Sequence, residues 1–176
     1  MMIIIRITIL ILLLVYNIHM TQCQGIYDYT LIDFDGNEVS LAQYKGTHKV
    51  ILIVNIAMDD GLTFRNNKEL EILHSKYHDK LEILAILSDD FAVQHSIPQK
   101  PSIGNIKTFQ NTKVTGDQAH PLFTYLTSAT DNLPINWNFC KFLINQHGKP
   151  VKRYQPTINP LKIEPDILTY FKSSEL

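Results

Sequence analysis

Two apolar runs of matched character, Val50 to Ile56 and Leu81 to Leu87, constrain this chain more than any other feature of its sequence. Both are rich in β-branched or long aliphatic residues and have almost no polar alternation, the pattern of strands buried on both faces. Each ends in an acidic pair: the first runs into Asp59-Asp60-Gly61, the second into Ser88-Asp89-Asp90. Between them, Leu62 to His78 carries Leu70, Leu73 and Tyr77 at helical spacing. Strand, helix, strand in this order is a βαβ unit, whose crossover makes the two strands parallel. Both acidic pairs then fall at one edge of the sheet, at strand carboxyl ends, where open α/β sheets build their sites.

The flanking segments extend this unit into a domain. Ile26 to Ile32 alternates, and Asp33-Phe34-Asp35-Gly36-Asn37 supplies turn chemistry before Val39 and Leu41, which predicts an N-terminal β-hairpin. Phe91 to Asn105, with Pro98, Pro101 and Gly104, reads as a surface loop. His120-Pro121 opens a short helix from Pro121 to Thr127, since proline suits the first helical position. Trp137 to Asn145 reads as a strand, and Gln146 to Lys149 turns it into another at Val151 to Tyr154. Ile163, Ile167 and Phe171 form one stripe of a final helix that Pro165 obliges to start at Glu164 or Pro165. The order predicts an α/β protein of thioredoxin-like fold: a central mixed sheet with two parallel and two antiparallel members and helices on both faces.

Length and charge exclude some classes of function. The chain has 176 residues, enough for one domain with a sizeable core, and a formal net charge of −1. It has no basic stripe, which argues against nucleic acid as a partner. Residues 1–23 are read as a signal peptide. Arg6 supplies the positive charge, and Ile7 to Tyr16 is apolar except for Thr8, too short for a span of about 20 residues. Thr21 and Cys23 are small residues before a cut at Gln24. The mature domain is then 24–176, secreted and extracellular, with no membrane contact; the alternative is an uncleaved anchor. Cleavage leaves Cys140 as the one cysteine, so no internal disulfide is available.

Three stretches carry a resemblance. Asn55 to Thr63 (NIAMDDGLT), Ile86 to Phe91 (ILSDDF) and Trp137-Asn138-Phe139 with Lys141-Phe142-Leu143 resemble signatures of the glutathione peroxidase family. Gly116 to Leu126 and Gly148 to Tyr154 match it as well. The resemblance implies a tetrad of peroxidatic selenocysteine or cysteine, glutamine, tryptophan and asparagine. Those positions fall on Asp60, Asp90, Trp137 and Asn138 respectively, so the reacting half is replaced and the other half is kept. It also implies glutathione or thioredoxin as reductant for active members. The resolving cysteine of thioredoxin-dependent members is missing, and the loop that contacts subunits in tetrameric members is missing too, the latter pointing to a monomer.

The replacement at Asp60 has a chemical consequence. Attack on an O–O bond along this route needs a soft thiolate or selenolate. A carboxylate is a hard oxygen with no sulfenic-type state to cycle through. The chain is therefore expected to be a catalytically inactive family member with a binding or effector role toward an unknown extracellular partner. The alternative is an active extracellular thiol peroxidase that reduces hydroperoxides through Cys140. That thiol is otherwise a buried, inert side chain or one half of an intermolecular disulfide.

Asp60 and Asp90 are expected to face each other near the start of the helix after Leu62, which favours an anion there. Two adjacent carboxylates repel, and a divalent ion between them, assisted by Asp59 or Asp89, is one way to relieve this. No organic cofactor is implied. His74 and His78, four residues apart, read as an exposed helix face rather than zinc ligands. Trp137 is read as a packing residue, and Lys107 and Lys113 as solvated side chains.

Overall fold

A computed structural model describes residues 25–92 and 99–172. The signal-peptide reading of residues 1–23 lies outside the described residues. The described part opens with a 3₁₀ turn, Ile26–Asp28, and a two-stranded antiparallel hairpin of β1 (Thr30–Ile32) and β2 (Glu38–Ser40). Asp33 closes its turn by accepting from the backbone N–H groups of Asp35 and Asn37, both at 3.0 Å. A second 3₁₀ turn, Leu41–Tyr44, replaces the expected continuation of the strand through Leu41.

The central sheet holds β3 (Val50–Ile56), β4 (Leu81–Leu87), β5 (Lys107–Phe109), β6 (Lys141–Asn145) and β7 (Pro150–Tyr154), in the spatial order β5-β4-β3-β6-β7. β3, β4 and β5 are mutually parallel, while β6 runs antiparallel to β3 and β7 antiparallel to β6. A sheet of five strands thus replaces the expected four. The additional member, β5, is only three residues long and emerges from a Pro- and Gly-rich stretch with no periodicity. The β3–β4 register runs unbroken from Val50↔Leu81 to Ile56↔Leu87. Both acidic pairs consequently leave the sheet at the same edge, as the βαβ pattern predicts.

Every residue of β3 is buried, and its side chains feed two cores. Val50, Leu52, Val54 and Ile56 meet Leu70 and Leu73 of α1 (Thr63–Tyr77) and Ile167 and Phe171 of α3 (Glu164–Lys172). Ile51 and Ile53 face Leu122, Phe123 and Leu126 of α2 (Pro121–Ser128) on the other side. Helices therefore cover both faces. Each such aliphatic or aromatic side chain contributes about 1.5–3 kcal/mol on burial. α3 begins at Glu164 behind a 3₁₀ turn, Pro160–Ile163, so Pro165 sits in its first turn where no backbone donor is needed. Glu69 ties that turn to α1, accepting from Leu161 N at 3.0 Å while pairing with Arg65 at 2.9 Å.

One segment departs from the sequence reading in a way that shapes the site. Trp137 to Cys140 does not belong to a strand; β6 starts only at Lys141. Phe139 is buried with φ at 63°, a left-handed conformation rarely adopted by a bulky residue. Its N–H donates to Asn55 O at 2.7 Å, which holds the bend against β3.

Candidate active site

The site grows from the carboxyl ends of β3 and β4 and from the bend that precedes β6. Beyond β3 the chain turns through Ala57 to Gly61 into α1. Thr63 fastens that turn by donating its hydroxyl to Ala57 O at 3.1 Å. Asp60 Oδ1 accepts from Leu62 N at 2.7 Å, and Asp60 O accepts from Thr63 N at 2.9 Å. The carboxylate therefore occupies the positive end of α1, where free N–H groups and the helix dipole favour a negative charge.

Asn55 aligns the opposite wall. It is the single polar residue inside the buried β3 run, and sequence reasoning assigned it no role. Its Nδ2 donates to Trp137 O at 3.2 Å, and its Oδ1 accepts from Cys140 N at 2.9 Å. Both ends of the bend are thus stapled to the sheet. In consequence Asn138 points its amide at the turn: Asn138 Nδ2 donates to Asp60 Oδ2 at 3.2 Å. Asn138 is 3% exposed, and its Oδ1 has no hydrogen-bond partner among the described residues.

Trp137 is 45% exposed, so it is not the core packing residue the sequence reading made it. Its ring lies 5.8 Å from that of Phe91, at 31° between planes, which links the bend to the end of β4. A cavity of about 730 Å³ opens beside it, lined among others by Asp60, Asn136, Trp137, Gln155, Pro156 and Thr157.

Asp90 engages a different set of groups. Its Oδ2 accepts from Val114 N at 2.6 Å and Thr115 N at 3.2 Å, and its Oδ1 pairs with Lys113 Nζ at 3.0 Å. Lys113 also pairs with Asp89 Oδ1 at 2.9 Å. This pairing holds the Asp89 carboxyl below its ordinary range and raises the Lys113 ammonium. Lys113 is therefore no free solvated side chain; it supplies the positive charge shared by the second acidic pair. Lys107, likewise, pairs with Asp33 at 3.4 Å. Asp90 is not among the residues that line the cavity. Among the described residues no group of three or more His, Cys, Asp or Glu side chains is arranged to hold a metal ion. Lys113 supplies positive charge to Asp90.

Cys140, the one cysteine of the described residues, is fully buried in the core on the α2 side of the sheet. Its Sγ lies 3.1 Å from Arg153 Nε and 3.4 Å from Tyr154 O. Arg153 is itself held by Asp131 at 2.7 Å and by the carbonyls of Leu133 and Pro134. Burial pushes the thiol up, outweighing the opposite pull of the Arg153 guanidinium.

A mixed sheet bearing its site at the carboxyl end of a parallel β3–β4 pair, with helices on both faces, defines a thioredoxin-like α/β protein. Known structures agree: the Streptococcus pneumoniae exposed lipoprotein thioredoxin Etrx1 superposes with a TM-score of 0.59 at 16% identity, covering 81% of this chain and 98% of that one. The glutathione peroxidase family model matches residues 26–127. Probable glutathione peroxidase 2 of Arabidopsis thaliana is 40% identical over 158 residues, 83% of this chain and 92% of the relative. A probable phospholipid hydroperoxide glutathione peroxidase of Nicotiana sylvestris is 40% identical over 156 residues, 82% of this chain and 91% of that protein. The crystal structure of T. cruzi GPX1 superposes with a TM-score of 0.72 at 29% identity, covering 84% of this chain and 97% of that one. The chain belongs to the glutathione peroxidase family.

Proposed function

We propose that this chain is an exported, monomeric member of its family that no longer reduces hydroperoxides and acts instead by binding. The observation that carries the reading is Asp60. Its carboxylate sits at the start of α1 against Asn138, in the place where the family resemblance puts the peroxidatic sulfur or selenium. Backbone and amide donors there suit an anion of any kind, but an oxygen anion cannot accept an oxygen atom from a peroxide and be regenerated by a thiol. Asp90 stands where the resemblance puts the glutamine, and Lys113 holds it. Trp137 and Asn138 remain. Export is supported by Arg6 and the apolar Ile7 to Tyr16.

The contact between Cys140 and Arg153 supports a second reading, an active thiol peroxidase, because a guanidinium favours a thiolate. Complete burial and the upward shift of the thiol weigh against it. An assay with hydrogen peroxide and a phospholipid hydroperoxide, coupled to glutathione and separately to thioredoxin, tests both. No turnover is expected. Turnover abolished by Cys140→Ser would establish the second reading.

A further inference from the structure

We propose that His74 and His78 of α1 form a copper(II) site, well away from the Asp60 position. They stand four residues apart, so their Cβ atoms lie about 5–6 Å apart on one face of the helix. Spacing alone leaves them an exposed helix face; their surroundings say more. Both line one hollow of about 450 Å³, together with Glu71, Ser75, Gly104 and Asn105. Gly104 packs on Glu71 from the facing loop: a Cβ added to the glycine would stand 3.2 Å from Glu71 Cγ. The hollow therefore presents two imidazoles and a carboxylate, with no lysine or arginine among its lining residues. Cations close by along the chain are engaged elsewhere, Lys76 by Glu164 at 2.6 Å and Lys107 by Asp33 at 3.4 Å.

The ring nitrogens are open to a metal. Among the described residues His74 makes no hydrogen bond or ion pair through its ring. Asp79 Oδ1 lies 3.2 Å from His78 Nε2, which favours the proton on that nitrogen and leaves the lone pair on Nδ1. Nδ1 in turn lies 3.4 Å from Ser75 O, a carbonyl with no hydrogen to give. A carboxylate on the far nitrogen is the arrangement that orients metal-bound imidazoles. Imidazole nitrogens select transition ions over calcium and magnesium, which take oxygen ligands. Two protein ligands, with no group of three or more among the described residues, are too few for the closed tetrahedral cage of structural zinc. Copper(II) accepts a tetragonal set of nitrogen and oxygen ligands and binds such donors more tightly than the other divalent first-row ions. Water completes the set, and the hollow has room for several molecules of about 30 Å³ each. An anion is the other ligand a histidine pair could take, and Glu71 and Asp79 repel it.

The test is calorimetric titration of the mature chain with Cu²⁺ at neutral pH, with electron paramagnetic resonance on the complex. One ion per chain is expected, with superhyperfine splitting from two imidazole nitrogens. Ni²⁺ and Zn²⁺ are expected to bind more weakly and Mg²⁺ not at all. Loss of an outer partner of a metal ligand costs about 10–100-fold, so His74→Ala and His78→Ala should each lose at least about tenfold in affinity. His147→Ala, at an exposed turn outside the hollow, is expected to change nothing. Unchanged affinity in a folded His74→Ala or His78→Ala variant, or a spectrum without two-nitrogen splitting, would overturn the inference. An equal loss in His147→Ala would also overturn it, marking an adventitious ion only. Should circular dichroism show the hollow's variants to be unfolded, the spectrum of the unaltered chain decides alone. His74 lies about 18 Å along α1 from Leu62 by the helical rise, so copper binding and peroxide turnover succeed or fail independently.

Discussion

Asn138 donates its side-chain N–H to Asp60 Oδ2 at 3.2 Å, joining the bend before β6 to the first turn of α1. With Leu62 N on the other carboxylate oxygen, the structure surrounds one atom position with donors at a helix N-terminus. That environment lowers the pKa of a thiol placed in it. The double variant Asp60→Cys/Asp90→Gln is therefore expected to gain measurable hydroperoxide reduction, above a background at which the unaltered chain remains. A double variant that folds and shows none would mean that more of the pocket than these two side chains has been lost.

The staple formed by Asn55 predicts a stability effect. Asn55→Ala leaves Trp137 O and Cys140 N without their partners inside the fold. Cys140 N is buried and Trp137 O half-buried, and leaving both without their hydrogen bonds costs about 2 kcal/mol together. Urea unfolding followed by Trp137 emission reads this directly, and a red shift of the native emission is expected as the bend loosens.

Lys141 predicts a pH dependence. It is fully buried at the start of β6, and its Nζ donates to Ile158 O at 2.7 Å and Pro156 O at 3.1 Å, which fixes the loop that forms one cavity wall. Burial pulls its ammonium from 10.5 down to about 8, against smaller upward pulls from Cys140 and Glu69. A cation whose folded pKa lies below its unfolded value costs stability while charged, and that cost fades as pH rises from 8 toward 10.5. The full cost is roughly 3 kcal/mol. The native chain is thus expected to gain stability relative to Lys141→Met between pH 8 and 10, seen as a shift in the urea midpoint. A flat difference would contradict this account of the lysine.

Cys140 predicts a labelling pattern. A thiol with no exposure, raised by burial and covered by Arg153, is expected to resist a disulfide reagent at pH 8 in the native mature chain and to react fully in guanidinium. Rapid native labelling would place the thiol within reach of solvent and favour the Cys140 peroxidase.

Much of this architecture is legible in the sequence because the features that encode it are local. The apolar runs of β3 and β4, the Leu70 and Leu73 spacing in α1, Pro121 at a helix start and the Pro165 boundary each reflect a burial or backbone rule acting within a few residues. What is hidden depends on partners far along the chain. Lys113 looks like a solitary cation until the segment after β5 folds back and brings it to Asp89 and Asp90. Trp137 to Phe139 continues an apolar strand pattern, yet Asn55, more than 80 positions earlier, draws it into a bend with Phe139 left-handed. β5 has too few residues to show a period and owes its place to pairing with β4. Asp60 was identifiable by resemblance, but its bond to Asn138 was not.

The central claim is that oxygen occupies the position from which peroxide would be attacked. The direct measurement is steady-state consumption of hydrogen peroxide by the mature chain from Gln24, with glutathione or thioredoxin regenerated in the same cuvette. The account predicts a rate equal to that of the mixture without protein. A saturable rate proportional to protein concentration would contradict it.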